Sequence, residues 1–377
     1  MTKILIIGGG AAGVMCAAGL RAKDATTEII LVEPKNYFEL VLFAFRTPFD
    51  EDDRDTALEP LRPWAVKHNI RLIHSIVTKL TPTSADLADG QTIEFDLCMV
   101  ATGAGSQWTA CGRGPTAPAS MEERKAQLKL EGDRLVNAES VLIVGGGLIG
   151  CELAGEIAYT QKKRLGKTNK ITLVQSRPHL CAETDDSVGD WIQRKLEAKG
   201  VKVIVNDKVI ESDDGKFVTK NSGVELDASE VVHTTGLRPV NSFMDAKFLN
   251  DKGWIEVDDY FRVKGAGGTV FAIGDCCALL YSSFAQIQGN LDTIVANMDA
   301  TMSKVKSGAT ADASLEADAD LQAKLKKHEV APSGYFVALG KDDGVFNIGW
   351  FTTQWIFPWF KNTKMIGMIM GMTGTQV

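Results

Sequence analysis

Two copies of one short glycine pattern constrain the fold of this chain more than any other feature. The first, GGGAAG at 8–13, follows the apolar run Lys3–Ile7; the second, GGGLIG at 145–150, follows Ser140–Val144. In a G-x-G-x-x-G turn between strand and helix, the glycines permit a tight bend, close backbone approach to a pyrophosphate and helix–strand packing. The pyrophosphate lies on the helix N-terminus, which favours an anion. Two turns therefore predict two dinucleotide sites, whose glycine contacts are Gly8, Gly10, Gly13, Gly145, Gly147 and Gly150.

A carboxylate at the expected spacing supports the first site. An apolar helical pattern over 14–20 leads into a strand over 28–32, and Glu33 follows twenty positions beyond Gly13. A carboxylate at this place binds a ribose 2′-hydroxyl in such folds. A solvent-exposed glutamate at a strand end is the alternative, but the spacing favours Glu33 as a ribose ligand.

The second copy has no such carboxylate. Its next strand, 170–174, ends in Gln175-Ser176-Arg177. Without a negative charge there a 2′-phosphate is not repelled, and Arg177 is placed to pair with it. The other interpretation, that Arg177 is a solvated surface residue, stays open. The second nucleotide is therefore NADH or NADPH, with Gln175 and Arg177 as candidate contacts.

The order of the motifs predicts the domain organisation. Each unit ends in a strand and a similar turn, Ala101-Thr102-Gly103 in the first and Thr235-Gly236 in the second. We predict an FAD-binding domain over 1–108 and 233–302, with an NAD(P)H-binding domain over 109–232 inserted in it. Residues 303–328, rich in Ala, Asp and Lys, are predicted to form a linker or exposed helix, and 329–377 a small C-terminal domain. The expected class is α/β, with two Rossmann-like domains.

The segment after the second unit, where the chain is expected to return to the first domain, assigns FAD to the first site. A strand over 269–273 ends in Gly274-Asp275, which places a carboxylate where it suits a ribitol hydroxyl. An N-capping aspartate without a ligand is the alternative, but the two glycine turns and the 101–103 turn favour FAD. A helix beginning near Ala285 is expected to point its N-terminus at the flavin and to stabilise negative charge there.

Charge and cysteine usage narrow the class of protein. A net charge of −7 argues against nucleic-acid binding, which requires a basic face. The seven cysteines include no C-x-x-C pair, so we expect reduced thiols and no metal site. A redox pair at Cys276-Cys277 is the alternative, although adjacent cysteines rarely close a comfortable disulfide. A strand from residue 3 leaves no room for a signal peptide, and Thr2 does not fit N-myristoylation, so cytoplasmic localisation is expected.

An aromatic-rich segment at 350–360 lies near the C-terminus. No apolar run there reaches the roughly 18 to 20 residues of a membrane-spanning helix. Two interpretations stay open: a small domain packed on the flavin domain, or a hydrophobic mouth that contacts a membrane surface.

Taken in order, these motifs resemble those of two-dinucleotide-binding-domain flavoproteins, the pyridine nucleotide-disulfide oxidoreductase type. The chain is most similar to the apoptosis-inducing-factor-homologous group, which includes ferroptosis suppressor protein and is related to type II NADH dehydrogenases. The resemblance covers nearly the whole chain, and its more specific elements lie at 38–46, 272–276 and 339–345.

The resemblance implies electron transfer from NAD(P)H through FAD to a ubiquinone- or vitamin K-like quinone at a membrane surface. It places Glu152 near the nicotinamide and flavin, Lys361 near the acceptor end of the flavin, and Lys35 and Arg46 among the FAD contacts. The chain departs from lipid-anchored members in lacking the acylation signal, which leaves peripheral contact through the aromatic segment; a homodimer also stays open. A redox-sensing or signalling flavoprotein with slow oxidase activity is the alternative function.

Overall fold

The computed structural model of the protein describes residues 2–108, 117–212, 215–279, 284–330, 334–348, 351–353 and 365–375. Its α-helices are α1 Ala11–Lys23, α2 Glu51–Ala57, α3 Leu61–Lys67, α4 Met121–Asn137, α5 Leu148–Leu165, α6 Asp186–Ala198, α7 Phe284–Lys306, α8 Ala313–Glu316, α9 Ala319–Gln322 and α10 Met365–Thr373. Its strands are β1 Lys3–Ile7, β2 Glu28–Val32, β3 Tyr37–Glu39, β4 Leu58–Pro60, β5 Arg71–Ile73, β6 Val77–Leu80, β7 Ser84–Leu87, β8 Thr92–Glu94, β9 Leu97–Val100, β10 Ala104–Gly105, β11 Ser140–Val144, β12 Lys170–Val174, β13 Val201–Ile204, β14 Val209–Glu211, β15 Phe217–Thr219, β16 Glu225–Leu226, β17 Glu230–His233, β18 Arg238–Pro239, β19 Val270–Ala272, β20 Gly334–Ala338, β21 Gly344–Ile348 and β22 Phe351–Thr353.

A parallel sheet in the order β19-β9-β1-β2-β5 forms the first unit. Its strands are nearly continuous apolar runs, as expected of a sheet that is buried on both faces. Helices α1 and α7 pack closely, because a Cβ at Gly19 would already lie 2.9 Å from Val295 Cγ2. The chain leaves this sheet after β9 and returns to it at β19, so distant segments build one unit.

A second parallel sheet, in the order β13-β12-β11-β17, repeats the arrangement. The strands before the two glycine turns have matching neighbours: β1 lies between β2 and β9, and β11 lies between β12 and β17. The antiparallel pair β10–β18 lies where the chain crosses between the units, with Ala104 opposite Pro239. The predicted α/β class with Rossmann-like units is confirmed.

In the segment 303–328, predicted to form a linker or exposed helix, most side chains are exposed and a few are buried. Helix α7 continues to Lys306, and α8 and α9 follow. The amide of Asn297 on α7 donates to the carbonyl of Lys326 at 2.8 Å. Three leucines of the segment are buried, with exposures of 2%, 0% and 8%: Leu315, Leu321 and Leu325. These leucines form a small cluster of their own, against which Tyr260 and Ala300 pack, and this cluster attaches the segment to the rest of the chain.

The C-terminal strands β20, β21 and β22 form an antiparallel sheet that docks on α5. A Cβ at Gly155 of α5 would lie 2.5 Å from Leu339 Cα, and one at Gly340 would lie 2.6 Å from Tyr159 Cβ. Helix α10 buries Ile366 beside α1 and α2. Within the described part of the chain, no helix is both long enough and apolar enough to cross a membrane.

Candidate functional site

The first glycine turn has the geometry that the sequence predicts. Gly8 adopts φ +104°, and a Cβ there would lie 2.5 Å from the carbonyl oxygen of Ala101. A Cβ at Gly13 would lie 1.9 Å from the carbonyl oxygen of Gly8, so the helix touches the strand end directly. Gly10 caps α1 without a side-chain hydrogen bond, and its Cβ position meets nothing within 4 Å. The helix N-terminus therefore faces open space.

Glu33 is held beside this turn as an acceptor. Its side chain is buried, Gly9 N donates to Oε2 at 2.6 Å, and Lys35 N donates to Oε1 at 3.1 Å. Lys35 Nζ lies 3.9 Å from Oε1 and partly balances the charge. Both side chains line one cavity with the glycine turn, so the carboxylate keeps lone pairs for ribose hydroxyls.

The same cavity collects the other residues predicted for the first site. Thr102 Oγ1 donates to Val240 O at 2.5 Å, which fixes the turn after β9. The returning segment reaches the cavity through Gly274 (φ +84°) and Asp275. Ala285 lies exposed in the first turn of α7, where its neighbours Phe284 and Ile287 line the cavity. The lining includes these predicted residues: Gly8, Gly10, Glu33, Lys35, Ala101, Thr102, Gly103, Gly274 and Asp275.

This cavity fits FAD. An uncapped helix N-terminus over open space suits a pyrophosphate, and the Glu33 carboxylate beside it suits a ribose. The lining continues to Asp275 and to the start of α7. The carboxylate of Asp275 suits the hydroxyl groups of the ribitol chain, and the apolar side chains of α7 suit the flavin ring.

The second turn repeats the geometry of the first. Gly145 adopts φ +113°, and a Cβ at Gly150 would lie 1.9 Å from the carbonyl oxygen of Gly145. Gly147 caps α5 without a side-chain hydrogen bond. Sequence reasoning missed Thr234, whose Oγ1 donates to the carbonyl of Gly145 at 2.8 Å. The sequence feature that could have indicated Thr234 is a hydroxyl residue after β17, directly before Thr235-Gly236.

Gln175 occupies the place in the second unit that Glu33 occupies in the first. A Cβ at Gly146 would lie 2.8 Å from Gln175 Cβ, just as one at Gly9 would lie 2.9 Å from Glu33 Cγ. Gln175 is buried, and Ser176 N donates to its Oε1 at 2.8 Å. The ribose position is therefore neutral here, while the side chain of Arg177 is exposed.

Glu152 and Arg46 belong to a buried charged cluster between α5 and the C-terminal strands. Burial raises the pKa of Glu152 well above its usual value; its Oε1 accepts from Ala338 N at 3.2 Å, and nearby Arg46 partly opposes the shift. Arg46 Nε donates to Glu156 Oε1 at 2.8 Å, and this guanidinium does not reach the lining of the FAD cavity. The structure thus pairs Arg46, which was predicted as an FAD contact, with Glu156, which sequence reasoning missed.

The thiols of the described cysteines lie buried in the core. Burial raises the pKa of Cys16 to about 12 and that of Cys276 to about 11. Cys276 Sγ donates to the carbonyl of Ile273 at 3.4 Å. Such thiols stay protonated at neutral pH and are poor nucleophiles. Lys361, the residue predicted near the acceptor end, lies outside the described residues, as does most of the 350–360 segment.

Comparison with known proteins agrees with this geometry. Apoptosis-inducing factor homolog B of Dictyostelium discoideum is 27% identical over 367 residues, which cover 92% of this chain and 89% of that protein. Among solved structures, the sulfide:quinone oxidoreductase of Aquifex aeolicus aligns with a TM-score of 0.74 at 18% identity, over 100% of this chain and 92% of that one. NDH2 of Plasmodium falciparum, solved with NADH, aligns with a TM-score of 0.69 at 14% identity, over 99% and 96%.

These findings confirm the resemblance to apoptosis-inducing-factor homologues and the prediction of FAD and a pyridine nucleotide as cofactors. Residues 2–301 match the pyridine nucleotide-disulphide oxidoreductase family. The chain belongs to this family and is an NAD(P)H-dependent flavin oxidoreductase.

Proposed function

We propose that the protein is an NAD(P)H:quinone oxidoreductase whose acceptor is a ubiquinone- or vitamin K-like quinone. The observation that carries the proposal is the apolar end of the FAD cavity. Phe284 and Ile287 of α7 line the cavity beside Gly274; a Cβ at Gly274 would lie 3.7 Å from Ile287 Cδ1. Apolar side chains at this end favour an apolar acceptor over a charged one.

The buried thiols support the same proposal. Members of this fold that reduce disulfides need an accessible cysteine pair beside the flavin. Here Cys276, which directly follows the cavity-lining Asp275, is fully buried and has a raised pKa. An acceptor that reaches the flavin directly fits this environment better than a relay through thiolates.

The chain contributes binding and electrostatics to this reaction. Bound FAD supplies a ring that accepts a hydride from NAD(P)H and returns electrons to a quinone. Glu33 and the N-terminus of α1 would hold one end of the cofactor, and the N-terminus of α7 would stabilise negative charge at the other. Glu152 acts as a positioning residue: its Oε1 accepts from Ala338 N at 3.2 Å, and burial raises the pKa of its carboxyl because it favours the uncharged form.

Peripheral membrane contact is part of the proposal, because long-chain quinones partition into lipid. Helix α10 exposes Met368 and Met372, each 46% accessible and one turn apart, while Ile366 and Met370 face the core. The exposed methionines give α10 an apolar outer face that suits contact with a lipid surface. Co-sedimentation with vesicles should weaken in Met368→Glu/Met372→Glu and remain unchanged in Leu130→Glu, which alters an exposed leucine of α4.

Steady-state assays with a panel of acceptors test the function. FAD-loaded protein is mixed with NADH or NADPH and with ubiquinone-1, menadione, glutathione disulfide or oxygen. The proposal expects fast turnover with the quinones and little with the disulfide. Slow oxidation by every acceptor, with a long-lived reduced protein, would instead favour the signalling alternative. The full chain is the right material, because removal of 346–377 would uncover the surfaces that α10 and the C-terminal strands bury.

A further inference from the structure

The two glycine turns match closely in backbone geometry. Their first glycines have φ +104° and +113°, and their last glycines approach the first to the same 1.9 Å. Gly8 N donates to Val32 O at the end of β2, and Gly145 N donates to Val174 O at the end of β12, each at 2.9 Å. Their helix caps, Gly10 and Gly147, have φ −76° and −73° and no side-chain cap. Any difference in what the two turns hold must therefore come from their surroundings.

The surroundings differ at the third glycine. A Cβ at Gly10 would meet nothing within 4 Å, whereas one at Gly147 would lie 3.2 Å from Glu183 Oε1 and 3.9 Å from Glu183 Oε2. A carboxylate thus lies over the N-terminus of α5, on the side where the first turn is open. The side chain of Glu183 is exposed.

The loop that carries Glu183 is fixed to the second turn. Cys181 N donates to the carbonyl of Gly146 at 2.8 Å, and Thr184 N donates to the carbonyl of Cys181 at 2.8 Å. Leu180 is buried, and its Cδ2 would lie 2.6 Å from a Cβ at Gly146. The backbone at 180–184 therefore holds Glu183 beside the turn, while its carboxylate is free to rotate into water.

We propose that Glu183 is an affinity-determining residue for NAD(P)H: its carboxylate competes with the pyrophosphate for the N-terminus of α5. A helix N-terminus stabilises one anion well, and a second anion at the same place is repelled. Binding of NAD(P)H then requires Glu183 to turn outward, which lowers affinity at this site alone. The same motif thus holds a resident cofactor in the first unit and an exchangeable one in the second. This inference concerns nucleotide binding and does not depend on the identity of the acceptor.

Calorimetric titration of FAD-loaded protein with ADP-ribose and with NAD⁺ tests the inference. In Glu183→Gln the dissociation constant of both ligands should fall about threefold to tenfold, the range expected for one exposed charge. The gain should shrink at high salt, because screening weakens the repulsion. Adenosine, which has no phosphate, should bind both proteins equally. Glu183→Asp, which withdraws the carboxylate by one methylene, should give a smaller gain.

The matched control is Glu211→Gln, which removes one exposed carboxylate at the end of β14 in the same unit. It should leave both dissociation constants unchanged. If both variants bound ADP-ribose and NAD⁺ equally more tightly, the effect would come from the net charge of the protein, and the inference would be overturned. Unchanged binding of ADP-ribose to Glu183→Gln would overturn the inference as well. Weaker binding would also overturn it, because it would show that the Glu183 carboxylate contacts the ligand favourably. FAD content and melting temperature, measured on each sample, show that the variants are folded.

Discussion

Replacing Arg46 is expected to destabilise the fold while leaving the FAD cavity intact. The guanidinium and its partner Glu156 are 3% and 1% exposed, and their N–O distance is 2.8 Å. Breaking such a pair from one side costs about 3–5 kcal/mol, because the remaining charge stays buried without a partner. Asp53 lies 3.9 Å from Arg46 Nε and also 3.3 Å from Lys341 Nζ, so it keeps a cation in Arg46→Met, and only Glu156 loses its partner. In Glu156→Gln, Arg46 still has the Asp53 carboxylate nearby, so Arg46→Met should cost more.

Urea unfolding followed by tryptophan fluorescence, together with FAD content per folded protein, measures both effects. We expect Arg46→Met to lose about 3–5 kcal/mol of unfolding free energy. The double variant Arg46→Met/Glu156→Leu should recover most of the loss, because neither charge is then buried. FAD content should stay at one per chain in all of them. Wild-type stability with loss of FAD in Arg46→Met would refute the reasoning and restore Arg46 as a cofactor ligand.

Three further predictions concern the nucleotide turns and the buried carboxyl. Gly10→Leu should fold normally but purify without a flavin absorbance band, because its side chain enters the open space over α1; Gly13→Leu should not fold, because its Cβ would lie 1.9 Å from Gly8 O. Because the pKa of Glu152 is raised in the folded state, the stability of the protein should fall as the pH rises from the ordinary glutamate pKa to the raised pKa. The melting temperature of Glu152→Gln should not show this dependence on pH. Glu152→Ala should slow flavin reduction without loss of FAD. NADH and NADPH should both reduce the flavin, because Gln175 is uncharged; a preference above about a hundredfold, close to 3 kcal/mol, would contradict this.

The strands around the two glycine turns were predictable because they are buried on both faces. Predicted runs at 3–7, 28–32, 140–144 and 170–174 match β1, β2, β11 and β12 in the structure. Continuous apolar sequence and a glycine turn fix both the type and the end of such a strand. The end of α7 was less predictable. A shift to polar residues at 303 was interpreted as a domain boundary, although lysine is a good helix former and two lysines lie in this last part of α7.

Among the site residues, those set by local spacing were predictable and those set by tertiary contact were not. Glu33 follows from its distance to the glycine turn along the chain. Arg46 and Glu156 lie 110 positions apart, and no local pattern relates them. Glu183 lies in a loop whose sequence carries no motif, and only the folded loop brings its carboxylate to the turn.

Helix α5 shows why the second unit and the C-terminal strands form a single structure. Glu152, Gly155, Glu156 and Tyr159 share one face of the helix, at spacings of three and four. That face receives the backbone of β20 and of the turn after it, where a Cβ at Gly155 would lie 2.5 Å from Leu339 Cα. A glycine inside a helix costs about 1 kcal/mol relative to alanine, so helix propensity does not account for Gly155. The close docking of the C-terminal strand accounts for Gly155. The helix that begins at the second nucleotide turn is therefore also the surface against which that strand packs.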